Sequence, residues 1–220
     1  MMLDFEFMRQ CVPMFAKALS LTLYIAFFGI TLSLLIGFIS AQILFFKVRF
    51  LRFIVSIYVE LARNTPLLIQ LFFLYYGLHS IIGVNLNEYV CAIVGLAFLG
   101  GGYMCESFRT GLESIPRSQI ESAQSLGLGT EQMMRYVILP QSLGVALPSV
   151  GANIIFLLKE TSVVSVIALA DVMFVAKDVI TQYYKTNEAL LMLLLCYLIV
   201  LLPLSVIFSL LERYYKNRVL

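Results

Sequence analysis

Residues 59–66 read VELARNTP and residues 156–165 read FLLKETSVVS. Each places charged and hydrogen-bonding side chains in a stretch otherwise built of Leu, Ile, Val and Phe. Arg63 carries a planar fork of donors that matches a carboxylate at two points. Glu160 is an anion suited to an ammonium group. Asn64, Thr65, Thr161 and Ser162 can add neutral hydrogen bonds. Brought together, these groups could hold a zwitterion, which carries a carboxylate and an ammonium close to each other. The same residues could equally tie two helices, with Arg63 paired to Glu160 at rest, and such a pair could open for a ligand. Lys159 and Glu160 are adjacent and point about 100° apart on a regular helix. Glu160 is expected to face the cavity and Lys159 to be salt-bridged elsewhere. Asp171 is expected at a loop start or helix cap.

The surroundings make these charges expensive. The chain has 220 residues, 61% hydrophobic and 13% charged. Soluble domains run about 45–50% apolar and about 25% charged. Roughly 20 apolar residues cross about 30 Å of hydrocarbon. Segments 18–46, 53–79, 88–108, 148–170 and 188–211 meet that length, so an all-α integral membrane protein with five transmembrane helices is expected. Segment 136–147 holds Pro140 and Gly144 and reads as a broken piece leading into a fourth span that starts near Pro148. Counted from Pro148, Lys159 lies about 17 Å deep. Counted from Arg52, Arg63 lies about 16 Å deep. Pro66 cannot donate to the Ala62 carbonyl, so the second span is expected to break there, as broken helices do where they line a cavity. A charge at such depth costs at least about 2.5–3.5 kcal/mol. Glu60, Arg63, Lys159 and Glu160 should therefore face the bundle interior.

Basic residues orient the bundle. Lys47, Arg49, Arg52, Arg109, Arg117, Arg135, Arg213, Lys216 and Arg218 flank one side, against Arg9, Lys17, Lys177 and Lys185 on the other. The excess marks the cytoplasmic side, which puts the N-terminus outside and the C-terminus inside. Residues 1–17 read as an extracytoplasmic segment, 18–212 as the transmembrane domain and 213–220 as a cytoplasmic tail. Asp4 and Glu6 precede the first basic residue, a poor signal-peptide start, so the first span is expected to be retained.

Several function classes fall away. The net charge is +2 and the basic residues are scattered, which does not suit nucleic acid. Cys11, Cys91, Cys105 and Cys196 are far apart and read as apolar fillers. His79 is the only histidine, so a metal site or a His-based catalytic set has no materials. No GxxxxGK[ST] phosphate loop is present. Glu106 and Arg109 are spaced as a local helix pair. Gly100, Gly101 and Gly102 read as a close helix-packing site.

The loop at about 109–140 has its own architecture. Ser118 and Glu121 have capping-box spacing, so a short helix is expected over 119–126, with Gly127 supplying a left-handed end. Thr130 could cap a second short helix through about Tyr136. Glu121-Ser122-Ala123, three residues, Gly127, nine residues and then Val137-Ile-Leu-Pro140 resembles the EAA loop of ABC importer permeases. That pattern is Glu-Ala-Ala, three residues, Gly, nine residues, Ile-x-Leu-Pro; Ser122 and Val137 depart from it conservatively. The flanks ARNTPLLIQLFFLYYG, GYMCESFRTGLESIPRSQ and LKETSVVSVIAL resemble the polar amino acid branch, the His/Met/Gln permease-like group.

The resemblance implies the transmembrane domain of a type I ABC importer, with the loop helix as a coupling helix. Glu121, Ala123 and Gly127 would carry the contact to a separate ATPase. ATP and Mg would be bound by that ATPase dimer, and this chain would be no enzyme and hold no cofactor. The other implied partners are a second permease copy or homologue, an extracytoplasmic solute-binding protein, an amino acid substrate and membrane lipid, all at a bacterial inner membrane. A stand-alone ion-coupled secondary transporter is the alternative. It leaves the loop unexplained and shows no inverted repeat.

Overall fold

The computed structural model describes residues 3–219, with every side chain among them except those of His79 and residues 216–219. Lys216 and Arg218, counted above with the cytoplasmic basic residues, fall outside the described side chains. The helices in chain order are α1 (Phe5–Phe45), α2 (Arg49–Asn64), α3 (Leu67–Phe72), α4 (Leu78–Ile82), α5 (Glu88–Glu113), α6 (Arg117–Ser125), α7 (Thr130–Met133), α8 (Leu139–Glu160), α9 (Val172–Tyr183) and α10 (Thr186–Val219). A π turn at Phe73–Gly77 joins α3 to α4, and another at Met134–Ile138 joins α7 to α8. Among the described residues four helices are long and apolar enough to cross a membrane, and the pair Arg49–Asn64 and Leu67–Ile82, bent by 108°, meets the same length and apolarity when taken together as one broken span.

Helix α1 begins at Phe5, well before the expected start at 18. Asp4 caps it, accepting the Phe7 N–H at 3.0 Å. Lys185 Nζ lies 2.8 Å from Asp4 Oδ2, and the Asp4 N–H donates to Glu188 Oε1 at 3.1 Å. The start of α1 is thus clasped to the start of α10. The early turns bury Cys11, Phe15 and Ala18 against α9 and α10. That buried face keeps the chain helical where hydropathy alone showed no span.

The fourth span departs from expectation at both ends. Pro148 lies inside α8, and Pro140 occupies the first turn, where a missing N–H costs nothing. The expected break over 136–147 is one π turn followed by regular helix. Helix α8 stays continuous past Pro148 because α5 holds it. Gly111 lets the backbone of α5 approach Ser142, and the Ser107 and Ser149 hydroxyls meet at 2.7 Å. Asn153 Nδ2 also donates to Ser107 Oγ, at 2.8 Å. Helix α8 ends at Glu160, and Thr161–Ile167 continues as a 3-10 turn to a left-handed Ala168. Fully buried Asp171 then caps α9, accepting N–H bonds from Met173 at 3.2 Å and Phe174 at 2.9 Å.

The centre of the bundle is the Gly100–Gly102 run on α5. Gly100 faces Ser33 of α1 and Leu157 of α8, Gly101 faces Tyr58 of α2 and Ile36 of α1, and Gly102 faces Ala62 and Arg63 of α2. Three helices therefore meet α5 where it has no side chains. A Cβ at Gly100 would overlap Ser33 Oγ and Leu157 Cδ1. Gly100→Val should cost about 1–3 kcal/mol of overpacking. The thermal midpoint in detergent should drop by roughly 2–12 °C; an unchanged midpoint would show that the helices are not held at this spacing.

Candidate functional site

Helix α2 ends at a designed break. Thr65 is extended (φ −115°, ψ 132°), and Pro66 precedes the first turn of α3. The Ala62 carbonyl that Pro66 cannot serve is taken by Gln70, whose Nε2 donates to it at 3.2 Å. The same amide reaches the Thr65 carbonyl at 3.1 Å and Thr65 Oγ1 at 2.8 Å. The Thr65 hydroxyl donates back to the Leu61 carbonyl at 2.7 Å. Asn64 Nδ2 donates to Glu60 Oε2 at 2.8 Å. Gln70 is a positioning residue that the sequence reading missed, because it acts only once α3 folds back. Gln70→Leu strips Ala62 of its donor. The expected cost is about 1 kcal/mol, the low end for an unsatisfied acceptor, because Gln70 Oε1 itself finds no partner among the described residues. A melting-point comparison with wild type checks it, and an unaltered value would mean that another group serves the carbonyl.

A cavity of about 380 Å³ opens beside this break. Arg63, Asn64 and Thr65 come to it from the end of α2, Tyr103 from α5, and Phe156 and Glu160 from α8. Four of the six expected cavity residues therefore meet. Thr161 and Ser162 do not line it. Thr161 is fully buried and donates to the Leu158 carbonyl at 2.7 Å. In a 3-10 turn residues three apart eclipse one another, so Glu160 and Val163 share the cavity wall while Thr161 and Ser162 face elsewhere. Tyr103 and Phe156 were not anticipated. Their rings pack with centroids 5.3 Å apart, and the Arg63 guanidinium lies 5.7 Å from the Tyr103 centroid.

The ion pairing differs from the expectation. Arg63 pairs with Glu106, Nη1 to Oε1 at 3.8 Å, and not with Glu160. Glu106 also accepts from Arg109 at 2.6 Å, and Arg109 reaches Glu113 at 3.1 Å. The local Glu106–Arg109 pair is present, extended by Arg63 of α2 and Glu113 of α5 into a four-residue chain of alternating charge. Arg52 and Glu60 of α2, with Glu106, Arg109 and Glu113 of α5, line a second cavity of about 220 Å³, while Arg63 lines the first. Lys159 is exposed and makes no ion pair among the described residues, which corrects the salt bridge expected for it. Helix α8 starts at Leu139, ahead of Pro148, and Lys159 belongs to its last turn.

The short loop helix α6 runs Arg117–Ser125, with Pro116 in the cap position and no side-chain cap, so the Ser118 capping box is not formed. The Pro116 carbonyl takes the first bond, from the Gln119 N–H at 3.1 Å. Gly127 (φ +75°) ends the helix as expected. Its N–H reaches the Gln124 carbonyl at 2.9 Å, and the Leu128 N–H reaches the Ala123 carbonyl at 3.2 Å, the two bonds of a Schellman end. Gly129, not Thr130, caps α7, its N–H donating to Gln132 Oε1 at 3.1 Å. Glu121 and Gly127 are exposed, but Ala123 is buried against the chain's own core. Leu126 is 81% exposed at the tip.

A helical bundle with a broken span, a polar cavity at the break and a rigid capped loop helix narrows the families the chain can enter. The model of one of them, described as the binding-protein-dependent transport system inner membrane component, matches residues 33–220. The chain belongs to this family. It is a multi-pass membrane permease, a non-catalytic subunit by family. It is 38% identical to a probable amino-acid ABC transporter permease protein, PatM, of Vibrio harveyi, covering 88% of each. It is 30% identical to the arginine transport system permease protein ArtQ of Bacillus subtilis (strain 168), covering 99% of each. The fold matches a chain of a crystallised amino acid ABC transporter with histidines at TM-score 0.89 and 33% identity, covering 97% of this permease and 100% of that chain. It also matches an inward-facing MetNI methionine ABC transporter at TM-score 0.71 and 19% identity, over 97% and 99% of the two chains. The type I importer fold expected from the loop motif is thus the observed one.

Proposed function

We propose that two copies of this permease, or one copy and a homologue, form the membrane path of an ATP-driven importer for a polar amino acid or a close derivative. The observation that carries the reading is the cavity of about 380 Å³ in which Arg63 and Glu160 stand on different helices. A carboxylate fits the guanidinium fork, an ammonium fits the glutamate, and Asn64 and Thr65 supply neutral partners. Several relatives are named as amino-acid permeases, which agrees with a zwitterionic cargo. The cavity opens on a face of α2 and α3 that is exposed in one copy, so a second subunit closes the path.

An extracytoplasmic solute-binding protein delivers the substrate, and a separate ATPase dimer binds ATP and Mg²⁺. Helix α6 docks on the ATPase. Glu121, Leu126 and Gly127 face it, while buried Ala123 seats the helix on its own chain. The N-terminus lies outside and the tail inside, with residues 109–140 as the cytoplasmic coupling loop.

Reconstitution with the ATPase and the binding protein in proteoliposomes tests the reading. Uptake of an amino acid should need ATP and the binding protein and should ignore collapse of ion gradients. Uptake that follows an ion gradient without ATP would favour the secondary-transporter alternative.

A further inference from the structure

Away from the substrate cavity, α1 and α10 enclose an apolar groove of about 310 Å³. Val12, Ala16 and Leu19 form one wall, and Met192, Leu195 and Ile199 form the other. Phe15, 2% exposed, closes the floor. Its one charged lining residue is Arg9, at the end of the groove nearest the start of α1. Arg9 is exposed and makes no ion pair among the described residues.

Depth along α10 places the groove in one leaflet. Ile199 and Met192 lie about 21 Å and about 31 Å from Arg213 at the other end of that helix. The hydrocarbon core is about 30 Å thick. The apolar part of the groove therefore runs through the leaflet remote from Arg213. The Asp4–Lys185 and Asp4–Glu188 contacts fix the register of α1 against α10. Arg9 then sits about one turn below that clasp, at the headgroup level.

We infer that this groove is a seat for an anionic phospholipid, with an acyl chain between α1 and α10 and the phosphate on Arg9. The guanidinium is the side chain best matched to a phosphate. The slot runs about 15 Å along α1 from Arg9 to Leu19, which suits most of a fatty-acyl chain. Only 6% of the most apolar stretch of α10 is buried in the chain, so this helix lies on the outside of the bundle. The site is separate from the substrate cavity and stands whether or not the amino acid reading holds.

Native mass spectrometry of the purified transporter, titrated with phosphatidylglycerol or with diacylglycerol, tests it. One phosphatidylglycerol per permease copy should be retained, and diacylglycerol should be held at least tenfold more weakly. Arg9→Gln should lower phosphatidylglycerol retention about tenfold without altering assembly, since Arg9 makes no ion pair among the described residues. Ala16→Phe fills the slot and should abolish retention with Arg9 intact. A photoreactive group at position 16 should join to lipid. Equal retention by Ala16→Phe and wild type, equal binding of the two lipids, or cross-linking of position 16 to protein would each overturn the proposal.

Discussion

Leu126→Asp should release the ATPase from the permease while the permease itself stays inserted and folded. Leu126 is 81% exposed and follows directly on the last turn of α6, beside the left-handed Gly127. At that exposure its substitution carries little folding cost. Docking of α6 as proposed would take the leucine out of water, which contributes about 1.5–3 kcal/mol if burial is complete. Losing that contact and adding a charge that must be desolvated should weaken docking by at least roughly 10–100-fold per helix. ATP-driven uptake should fall below detection, and the ATPase should no longer co-purify at stoichiometry. Gly127→Val is a milder companion, because no atom lies within 4 Å of the position and only backbone strain is imposed. It should reduce coupling and leave some docking. Normal uptake and a normal ATPase ratio with Leu126→Asp would remove α6 from the docking surface.

The loop was readable because its devices are local. A glycine two residues past a short polar helix needs no tertiary contact to end it, and Gly127 does so in the structure. Ser118 was misread because Pro116, already extended at φ −61° and ψ 140°, takes the cap position two residues earlier. The substrate cavity was readable only in part. Pro66 announced a freed Ala62 carbonyl, but the donor that answers it is Gln70, on a helix turned by 108°. No spacing rule links those two residues before the bend exists. Arg63 was offered Glu160 because both looked mid-depth. The helix they share contacts with is instead α5, which approaches α2 at Gly102 and brings Glu106 within 3.8 Å of Arg63. Thr161 and Ser162 were assigned to the cavity as neighbours of Glu160 in sequence, but one and two residues on they turn about 120° and 240° away from it in the 3-10 turn and do not line the cavity.

Arg63→Gln should lower transport efficiency by about 10–100-fold, with most of the loss in apparent substrate affinity. The figure follows from a charge-assisted hydrogen bond to a carboxylate, about 1.5–3 kcal/mol. The fold should survive the change. The Arg63 side chain is 38% exposed, and its one ion pair, at 3.8 Å, is longer than a hydrogen bond. A pair of that kind contributes about 0–1 kcal/mol. The length matters for function too, because a loosely held guanidinium can exchange Glu106 for a substrate carboxylate at small cost. Glu106→Gln then separates two roles for the contact. If Glu106 only competes for Arg63, its loss should tighten substrate binding. If Glu106 aims the guanidinium across the Tyr103 ring, binding should weaken by a smaller factor than in Arg63→Gln. Glu160→Gln should weaken binding of a substrate with a free ammonium and leave an analogue lacking it unaffected. Initial-rate uptake in proteoliposomes, at several substrate concentrations, measures all three. Unchanged kinetics for both Arg63→Gln and Glu160→Gln would make the cavity a conduit with no grip on the substrate, and selectivity would then rest with the delivering protein alone.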